Sequence, residues 1–344
     1  MKHPTILDVA NEAGVSKSLV SLVMRGSDRV SPSSRKAVLG AAKKLGYRPN
    51  AAARTMVRQR SYVIGVMVSD LHNPFFADVI DGIDTAVTDT GYRAILTTGN
   101  RLPERERHAV ATLLEMRVDG LILASPAFGR EVAVEASQTV PTVVVGKAIR
   151  APAVDSVTND DRRGGEMVVN HLVELGHRRI AHVDGGTGAG ARPRRTGYAH
   201  SMRGHGLESE IRSVRGSFTE EGGAAGMRSL LADAIRPTAV FVANDLAAIG
   251  VLEVLDAEGL DVPGDLSVVG YDNTALAASP RLGLTTVDQP RHDMGNMAAG
   301  LILEKIGQDR TTPRRVLLPP KLIARESTGP PRGRAKPNDQ RVVM

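Results

Sequence analysis

Residues whose side chains suit ligand binding follow short apolar runs along this chain. Most of them carry hydrogen-bonding groups, and few are nucleophiles. In chain order they are Ser69, Asp70, Ser125, Gly146, Lys147, Arg194, Asn244, Asp245, Asp272 and Asn273. A carboxylate, a guanidinium and amides near an aromatic ring at Phe75, Phe76 or Phe218 would suit a polar ring such as a sugar or a nucleobase.

The apolar runs alternate with amphipathic stretches, several of which end at a glycine. The runs are residues 62–68, 94–98, 120–124, 142–145, 180–183, 239–243 and 267–271. Buried strands that alternate with helices are typical of parallel sheets covered on both faces. We therefore predict an α/β core of two doubly wound parallel-sheet subdomains.

These strands would bring the polar residues together, because ligands in open α/β sheets bind outside the carboxyl ends of the strands. Each residue taken alone has a simpler interpretation as a helix cap or a turn residue. Their shared position favours a binding site.

Signals for catalysis are weak. The stretch GGTGAG at residues 185–190 lacks the Lys-Ser/Thr of a phosphate-binding loop and the spacing of a dinucleotide-binding loop. The sequence contains neither G-x-S-x-G nor H-E-x-x-H. Its nine histidines show no metal-ligand spacing, and we expect His177 and His182 to lie at the surface or at helix ends. We expect no catalytic residue, no cofactor and no metal.

A second group of residues lies near the N-terminus, in the stretch GVSKSLVSLVMRG at residues 14–26. Residues 5–46 have the caps and apolar spacing of three short helices, a small core adequate for a DNA-binding module. Val20 and Val23 would be buried in the second helix. Its opposite face offers Lys17, Ser18, Ser21, Leu22 and Arg25.

Charge is unevenly distributed along the chain. Residues 1–60 carry 12 Lys and Arg against 3 Asp and Glu, whereas the rest carries 32 against 35. A basic N-terminal unit suggests a polyanionic partner, although a solvated basic surface is the simpler alternative. No apolar run approaches the length of a membrane span, no secretory signal is evident and there is no cysteine. These features predict a cytoplasmic protein.

Extended blocks of the sequence resemble the lactose repressor/galactose repressor family of bacterial transcription regulators. The N-terminal blocks are TILDVANEAGVSKSLVSLVMRG and VSPSSRKAVLGAAKKLGYRPNAAAR. Later blocks include IGVMVSDLHNPFFADVIDGI, HLVELGHRRIAHV, PTAVFVANDLAAIG, VPGDLSVVGYDN and LIARESTG. The resemblance covers residues 4–328 in order. It implies a helix-turn-helix headpiece, a hinge helix, an effector-binding core similar to periplasmic sugar-binding proteins, and a homodimer on near-palindromic operator DNA.

The resemblance also implies roles in DNA binding. The recognition helix spans Ser16 to Arg25, with Lys17, Ser18, Ser21 and Leu22 facing bases. Residues placed for phosphates are Thr5, Ser16, Ser31 and Asn50. Many relatives carry Arg or His at Leu22 and Asn at Arg25, so we expect a different operator preference. Lys17 is the best candidate for reading guanine, with a phosphate contact as the alternative.

In the hinge, Met56 matches the position at which relatives insert a leucine into the central minor-groove step. Ala53, with its neighbour Ala52, would let the two hinge helices of a dimer approach closely. We expect this segment to become helical only when DNA supports it.

In the core, the resemblance implies effector contacts by Phe75, Phe76, Arg194, Phe218, Asn244 and Asp272, and the strand ends add Ser125 and Lys147. Gly146 stands where sugar-responsive relatives often place an Asp, and Lys147 offers a positive charge beside it. The effector is expected to be a neutral sugar, with a sugar phosphate, a sugar acid or a nucleobase as alternatives.

The sequence thus predicts four segments: a headpiece at residues 1–49, a hinge at 50–61, a core at 62–328 and a disordered basic tail at 329–344. The predicted function is a repressor controlled by an effector. A solute-binding protein that serves a transporter and a sugar-modifying enzyme are the rival interpretations. The basic headpiece argues against the first, and the missing nucleophile, metal cluster and phosphate loop argue against the second.

Overall fold

The computed structural model of the chain describes residues 4–24, 26–47, 60–308 and 310–332. The chain divides into two units, the first ending at Ser61 and the second beginning at Tyr62. Several residues of the predicted DNA interface lie outside the described part, namely Arg25, Asn50, Ala53 and Met56. The predicted hinge helix and the tail from residue 333 lie outside it as well.

Three helices form the first unit: α1 (Ile6–Ala13), α2 (Lys17–Met24) and α3 (Pro32–Leu45). Thr5 caps α1 in a capping box with Asp8, whose carboxylate accepts the Thr5 backbone N–H at 2.7 Å. Ser31 caps α3, and Pro32 occupies its first turn, where a missing N–H costs nothing. Gly14 and Gly46 end α1 and α3 with φ of 65° at each, in the left-handed region that glycine tolerates best.

The core of this unit is built from small aliphatic side chains on one face of each helix. Val20 and Val23 are buried, as predicted for α2. They pack with Val9, Val38 and neighbouring alanines. The opposite, polar face of α2 is thereby left for another partner.

A six-stranded parallel sheet forms the first subdomain of the second unit. Its strands are β1 (Val63–Val68), β2 (Arg93–Thr98), β3 (Gly120–Ala124), β4 (Thr142–Val145), β5 (Val154–Asn159) and β11 (Arg315–Leu318). Their order across the sheet is β11-β5-β4-β3-β1-β2. Its helices are α4 (Phe75–Val87), α5 (Pro103–Glu115), α6 (Arg130–Ser137) and α11 (Arg291–Gly307). Apolar clusters cover both faces of the sheet.

A four-stranded parallel sheet forms the second subdomain. It has the order β7-β6-β8-β9, with β6 (Ile180–Val183), β7 (Arg212–Val214), β8 (Ala239–Val242) and β9 (Ser267–Val269). The helices are α7 (Asp161–Glu174), α8 (Ala191–Gly204), α9 (Glu220–Leu231) and α10 (Asp245–Ala257). Two further strands, β10 (Thr286–Asp288) and β12 (Lys321–Ile323), pair antiparallel. The predicted architecture of two doubly wound parallel-sheet subdomains is confirmed.

The chain crosses between the subdomains three times: after β5, after β10 and after β11. After the last crossing, residues 325–329 are bonded to the second sheet. The Val268 N–H donates to the Ser327 carbonyl at 2.9 Å, and the Ser327 hydroxyl donates to the Val268 carbonyl at 2.6 Å. The Arg325 guanidinium donates to the Asn273 side-chain oxygen at 2.6 Å. The C-terminal end of the core is therefore part of its framework.

The start of the predicted tail is also held in place. The Gly329 carbonyl accepts a hydrogen bond from His177 at 2.8 Å, and Arg332 pairs with Asp265. The prediction of a disordered tail from residue 329 is therefore wrong for residues 329–332.

Two histidines are buried, which the sequence did not predict. His177 and His182 are both almost fully buried, so a surface position is wrong for both. His177 does lie at a helix end, because its backbone N–H donates to the Leu172 carbonyl of α7 at 3.0 Å. His182 sits in the centre of β6, stacked on Phe241 with ring centroids 4.4 Å apart, and its Nδ1–H donates to the Phe241 carbonyl at 3.0 Å. Burial lowers the pKa of His182 to about 4, so its neutral form is the one that fits this core.

Candidate functional site

A cavity of about 530 Å³ lies between the two subdomains of the second unit, at the carboxyl ends of their strands. The cavity wall includes six of the residues predicted from sequence. They are Phe75, Phe76, Ser125, Arg194, Phe218 and Asp272. The volume falls within the range of small-molecule sites.

Arg194, in the first turn of α8, is the central charge of the cavity. Its Nε donates to the Asp161 carboxylate at 2.9 Å, and one terminal nitrogen donates to the Ala243 carbonyl at 2.6 Å. The guanidinium also stacks 3.7 Å from the centre of the Tyr271 ring. Burial opposes its charge, but the neighbouring carboxylates outweigh burial and raise the pKa of Arg194. The group is fixed as a planar donor that faces the cavity.

Asp272 lies after β9 and lines the cavity. It is a non-glycine residue with φ of 110°, an uncommon conformation that often marks a functional position. Gln289 donates to its Oδ1 at 2.5 Å, and that oxygen is 3.7 Å from Arg194. Burial raises the pKa of Asp272, whereas the charge of Arg194 opposes that rise. A hydroxyl that enters the cavity would meet an acceptor and a cation side by side.

Aromatic rings flank these polar groups. The ring of Phe218 lies against the glycine-rich loop, and a Cβ added to Gly185 or Gly188 would come within 2.4–2.5 Å of the ring. The glycines of GGTGAG therefore make room for an aromatic wall. On the opposite subdomain, Phe75 and Phe76 form an edge-to-face pair with centroids 5.1 Å apart. Rings on both sides suit a flat ligand with apolar faces and polar edges.

Other cavity residues were only partly predicted. Ser69, Asp70 and Gly146 were identified at strand ends and do line the cavity. A Cβ on Gly146, whose φ is 76°, would lie 2.4 Å from the Ser125 hydroxyl, so a side chain there would need the serine to move. Arg101 follows β2 closely and could have been found by the same rule. Gln289 follows β10, a strand that the apolar pattern does not predict.

Two predicted effector residues are not on the cavity wall. The Lys147 ammonium donates to the carbonyls of Pro126 at 3.0 Å and Phe128 at 2.7 Å. Asn244 caps α10, because its side-chain oxygen accepts the Ala247 N–H at 2.9 Å. Among the described residues, the Asn244 amide nitrogen has no hydrogen-bond partner although it is buried. Asn244 thus retains a donor, whereas two of the three donors of Lys147 are engaged.

The polar face of α2 is the second candidate site. Ser16, Lys17 and Ser18 are exposed at its N-terminal end, and the Ser16 hydroxyl accepts the Leu19 N–H at 3.2 Å. Thr5 and Ser31 are exposed N-cap residues of the neighbouring helices. In contrast, Ser21 and Leu22 are partly buried, and Leu22 packs against the headpiece core. Among the described residues 16–24 of the predicted recognition helix, the exposed ones are therefore those of its first turn.

Two family models match parts of this chain. Residues 5–50 match the family model described as bacterial regulatory proteins, lacI family, and residues 169–328 match a periplasmic binding protein-like domain. The HTH-type transcriptional regulator CelR of Thermobifida fusca is 37% identical over 95% of this chain and 98% of its own. The chain belongs to the LacI family. It is therefore a DNA-binding transcription regulator with an effector-binding core, and not an enzyme.

Solved structures of LacI family regulators have a fold similar to that of this chain. The lac repressor dimer bound to operator and the anti-inducer ONPF superposes with a TM-score of 0.83 at 30% identity, covering 95% of this chain and 100% of that one. A CelR–cellobiose complex superposes with a TM-score of 0.70 at 34% identity, covering 94% and 99%. Among the residues that the structure describes, no helix is long and apolar enough to cross a membrane.

Proposed function

We propose that this regulator is a cytoplasmic repressor whose effector is a neutral carbohydrate bound in the cavity. The observation that carries the proposal is the position of Arg194. Asp161 holds its guanidinium beside Asp272, and aromatic rings flank these polar groups. Fixed donors and acceptors next to ring faces match the alternating hydroxyl edges and C–H faces of a sugar.

The charges of the cavity support a neutral ligand. Its wall includes three arginines, Arg101, Arg194 and Arg215, and three carboxylates, Asp70, Glu221 and Asp272. Arg194 is paired, and Arg101 lies 3.5 Å from Asp70. Since the Lys147 ammonium is directed at backbone carbonyls, the sequence argument for an anionic effector loses its support. The cellobiose complex of CelR is a further reason to begin with saccharides.

The cavity proposal is tested by a thermal-shift screen against neutral sugars, sugar phosphates, sugar acids and nucleobases. A ligand at 100 times its dissociation constant stabilises the native state by about 2.7 kcal/mol, which a melting curve resolves. A response to neutral sugars that Phe218→Ala abolishes would support the proposal. A response to anions alone would contradict it.

We further propose that the first turn of α2 contacts DNA bases, that Thr5, Ser16 and Ser31 contact phosphates, and that two copies bind a near-palindromic operator as a homodimer. The segment boundaries at residues 49 and 61 belong to the same proposal, with Asn50, Ala53 and Met56 acting in the hinge.

Lys17→Ala tests the base contact. We expect operators selected from random DNA by the variant to lose their preference at one base position in each half-site. An equal loss of affinity for all sequences would instead make Lys17 a phosphate contact. Lys36→Ala, an exposed cation on α3, is the matched control. Truncation to residues 62–344 distinguishes a regulator from the rival solute-binding protein. A regulator loses DNA binding when its headpiece and hinge are removed, and it keeps ligand binding.

A further inference from the structure

A loop between β3 and α6 supplies one edge of the cavity. Ser125 and Ala127 in this loop line the cavity, and Ser125 adopts a φ of 52°, which is uncommon outside glycine. A loop in a strained conformation needs external contacts that hold it there.

Glu106, in the first turn of α5, holds this loop from one side. Its side chain is fully buried, and its Oε2 accepts the backbone N–H of Ala127 at 2.7 Å. Its Oε1 accepts the hydroxyl of Ser69, another cavity residue, at 2.6 Å. One carboxylate therefore connects the ends of β1 and β3.

Lys147 holds the same loop from the other side. Its ammonium donates to the Pro126 and Phe128 carbonyls. The peptide unit that joins Pro126 to Ala127 thus directs its carbonyl at a cation and its N–H at an anion. Rotation of this peptide would place each pole against the wrong charge, so the two side chains fix its orientation.

We propose that Glu106 and Lys147 are positioning residues that set the Ser125–Ala127 edge of the cavity and thereby control effector affinity without touching the effector. The proposal rests on the proposed function of the cavity for its ligand readout, but its structural readout is independent of any ligand. Burial lowers the pKa of Lys147, and the charge of Glu106 opposes that effect. These opposing effects on the pKa agree with a lysine whose charge is stabilised by a nearby carboxylate.

The test compares three variants of the full-length protein: Lys147→Met, Lys147→Arg and Lys305→Met. Arginine can still donate to two carbonyls, whereas methionine fills the space without a donor. Lys305 is the matched control, because it is a buried lysine of the same subdomain that donates to the Ala153 carbonyl. Hydrogen exchange of peptides covering residues 121–130 is measured by mass spectrometry, together with the dissociation constant for cellobiose.

We expect Lys147→Met to speed exchange at Ala127 and Phe128 and to weaken cellobiose binding, each about ten- to hundredfold, because a hydrogen bond to a charged group is lost. Lys147→Arg should restore both readouts to within about threefold, and Lys305→Met should leave the loop's exchange unchanged.

Three results would overturn the proposal. Weaker binding without faster exchange would mean that Lys147 itself contacts the ligand. Equal acceleration in Lys305→Met would mean general loss of stability, and unchanged exchange together with unchanged binding in Lys147→Met would mean that the loop does not need the cation. If the wild-type protein does not bind cellobiose, that outcome counts against the proposed effector alone, and the exchange comparison still decides the role of Lys147.

Discussion

His182 should make the stability of the second subdomain depend on pH. Burial lowers its pKa to about 4 in the folded protein, from 6.5 in the unfolded chain. The unfolded state therefore binds more protons between these two values, so the stabilising contribution is present above pH 6.5 and is lost as pH falls. The full effect is about 3.4 kcal/mol, since each pKa unit corresponds to 1.36 kcal/mol.

The loss should be measurable within a mild pH range. The linkage relation gives about 2 kcal/mol lost by pH 5 and about 3 kcal/mol lost by pH 4. The assay is urea unfolding followed by circular dichroism, comparing the wild type with His182→Phe at pH 7.5 and pH 5. Phenylalanine keeps a ring against Phe241 but cannot take up a proton.

The difference in pH-dependent stability between the two proteins reports on His182 alone, because they share all other titrating groups. We expect His182→Phe to be the less stable protein at pH 7.5, since it lacks the hydrogen bond to the Phe241 carbonyl, and to lose less stability on acidification. Equal pH dependence in the two proteins would refute the argument that burial disfavours the charged imidazole.

Two substitutions test the cavity. Gly185→Ala should reduce effector affinity at least tenfold in calorimetry, because the new methyl group would overlap the Phe218 ring. The control is Gly204→Ala, which has open space around its Cβ and should raise helix stability by up to about 1 kcal/mol. A normal affinity in Gly185→Ala would show that the ring position does not matter. Asp161→Asn should cost about 3–5 kcal/mol of unfolding free energy, because it leaves the buried Arg194 with a weaker partner. A loss below about 1 kcal/mol would mean that Asp272 alone balances this charge.

Apolar runs were a sufficient signal for strands buried on both faces, such as β3 and β8. They could not reveal β5, whose sequence VDSVTN is interrupted by polar residues. In the structure, the fully buried Asp155 of this strand accepts hydrogen bonds from Arg310 at 2.6 Å and from the Arg314 backbone N–H at 2.7 Å. The core tolerates this carboxylate because it has hydrogen-bond partners. Those partners come from a segment far along the chain, which no local sequence pattern shows.

The candidate site divides in the same way. The position of Asp272 just after β9, and of Arg194 beyond the glycine-rich loop that follows β6, was enough to predict that both would face a cavity, because parallel strands carry their carboxyl ends to one edge. It could not predict the direction of the Lys147 side chain, which is set by carbonyls about twenty residues earlier in the chain. Nor could it predict that His182 would be buried, since Phe241 and Tyr198 reach it only after the sheet and α8 have formed.

The bonding of residues 325–329 to the second sheet has a consequence for the order of synthesis. The headpiece needs only residues from the first 47, all local in sequence, so it can fold early on the ribosome. The first sheet is complete only when β11 has been synthesised, and the second is complete only when Ser327 can form its hydrogen bonds to Val268. A chain interrupted before these residues would carry a complete DNA-binding unit and an unfinished sensor. Regulation is therefore the last property that a newly made molecule acquires.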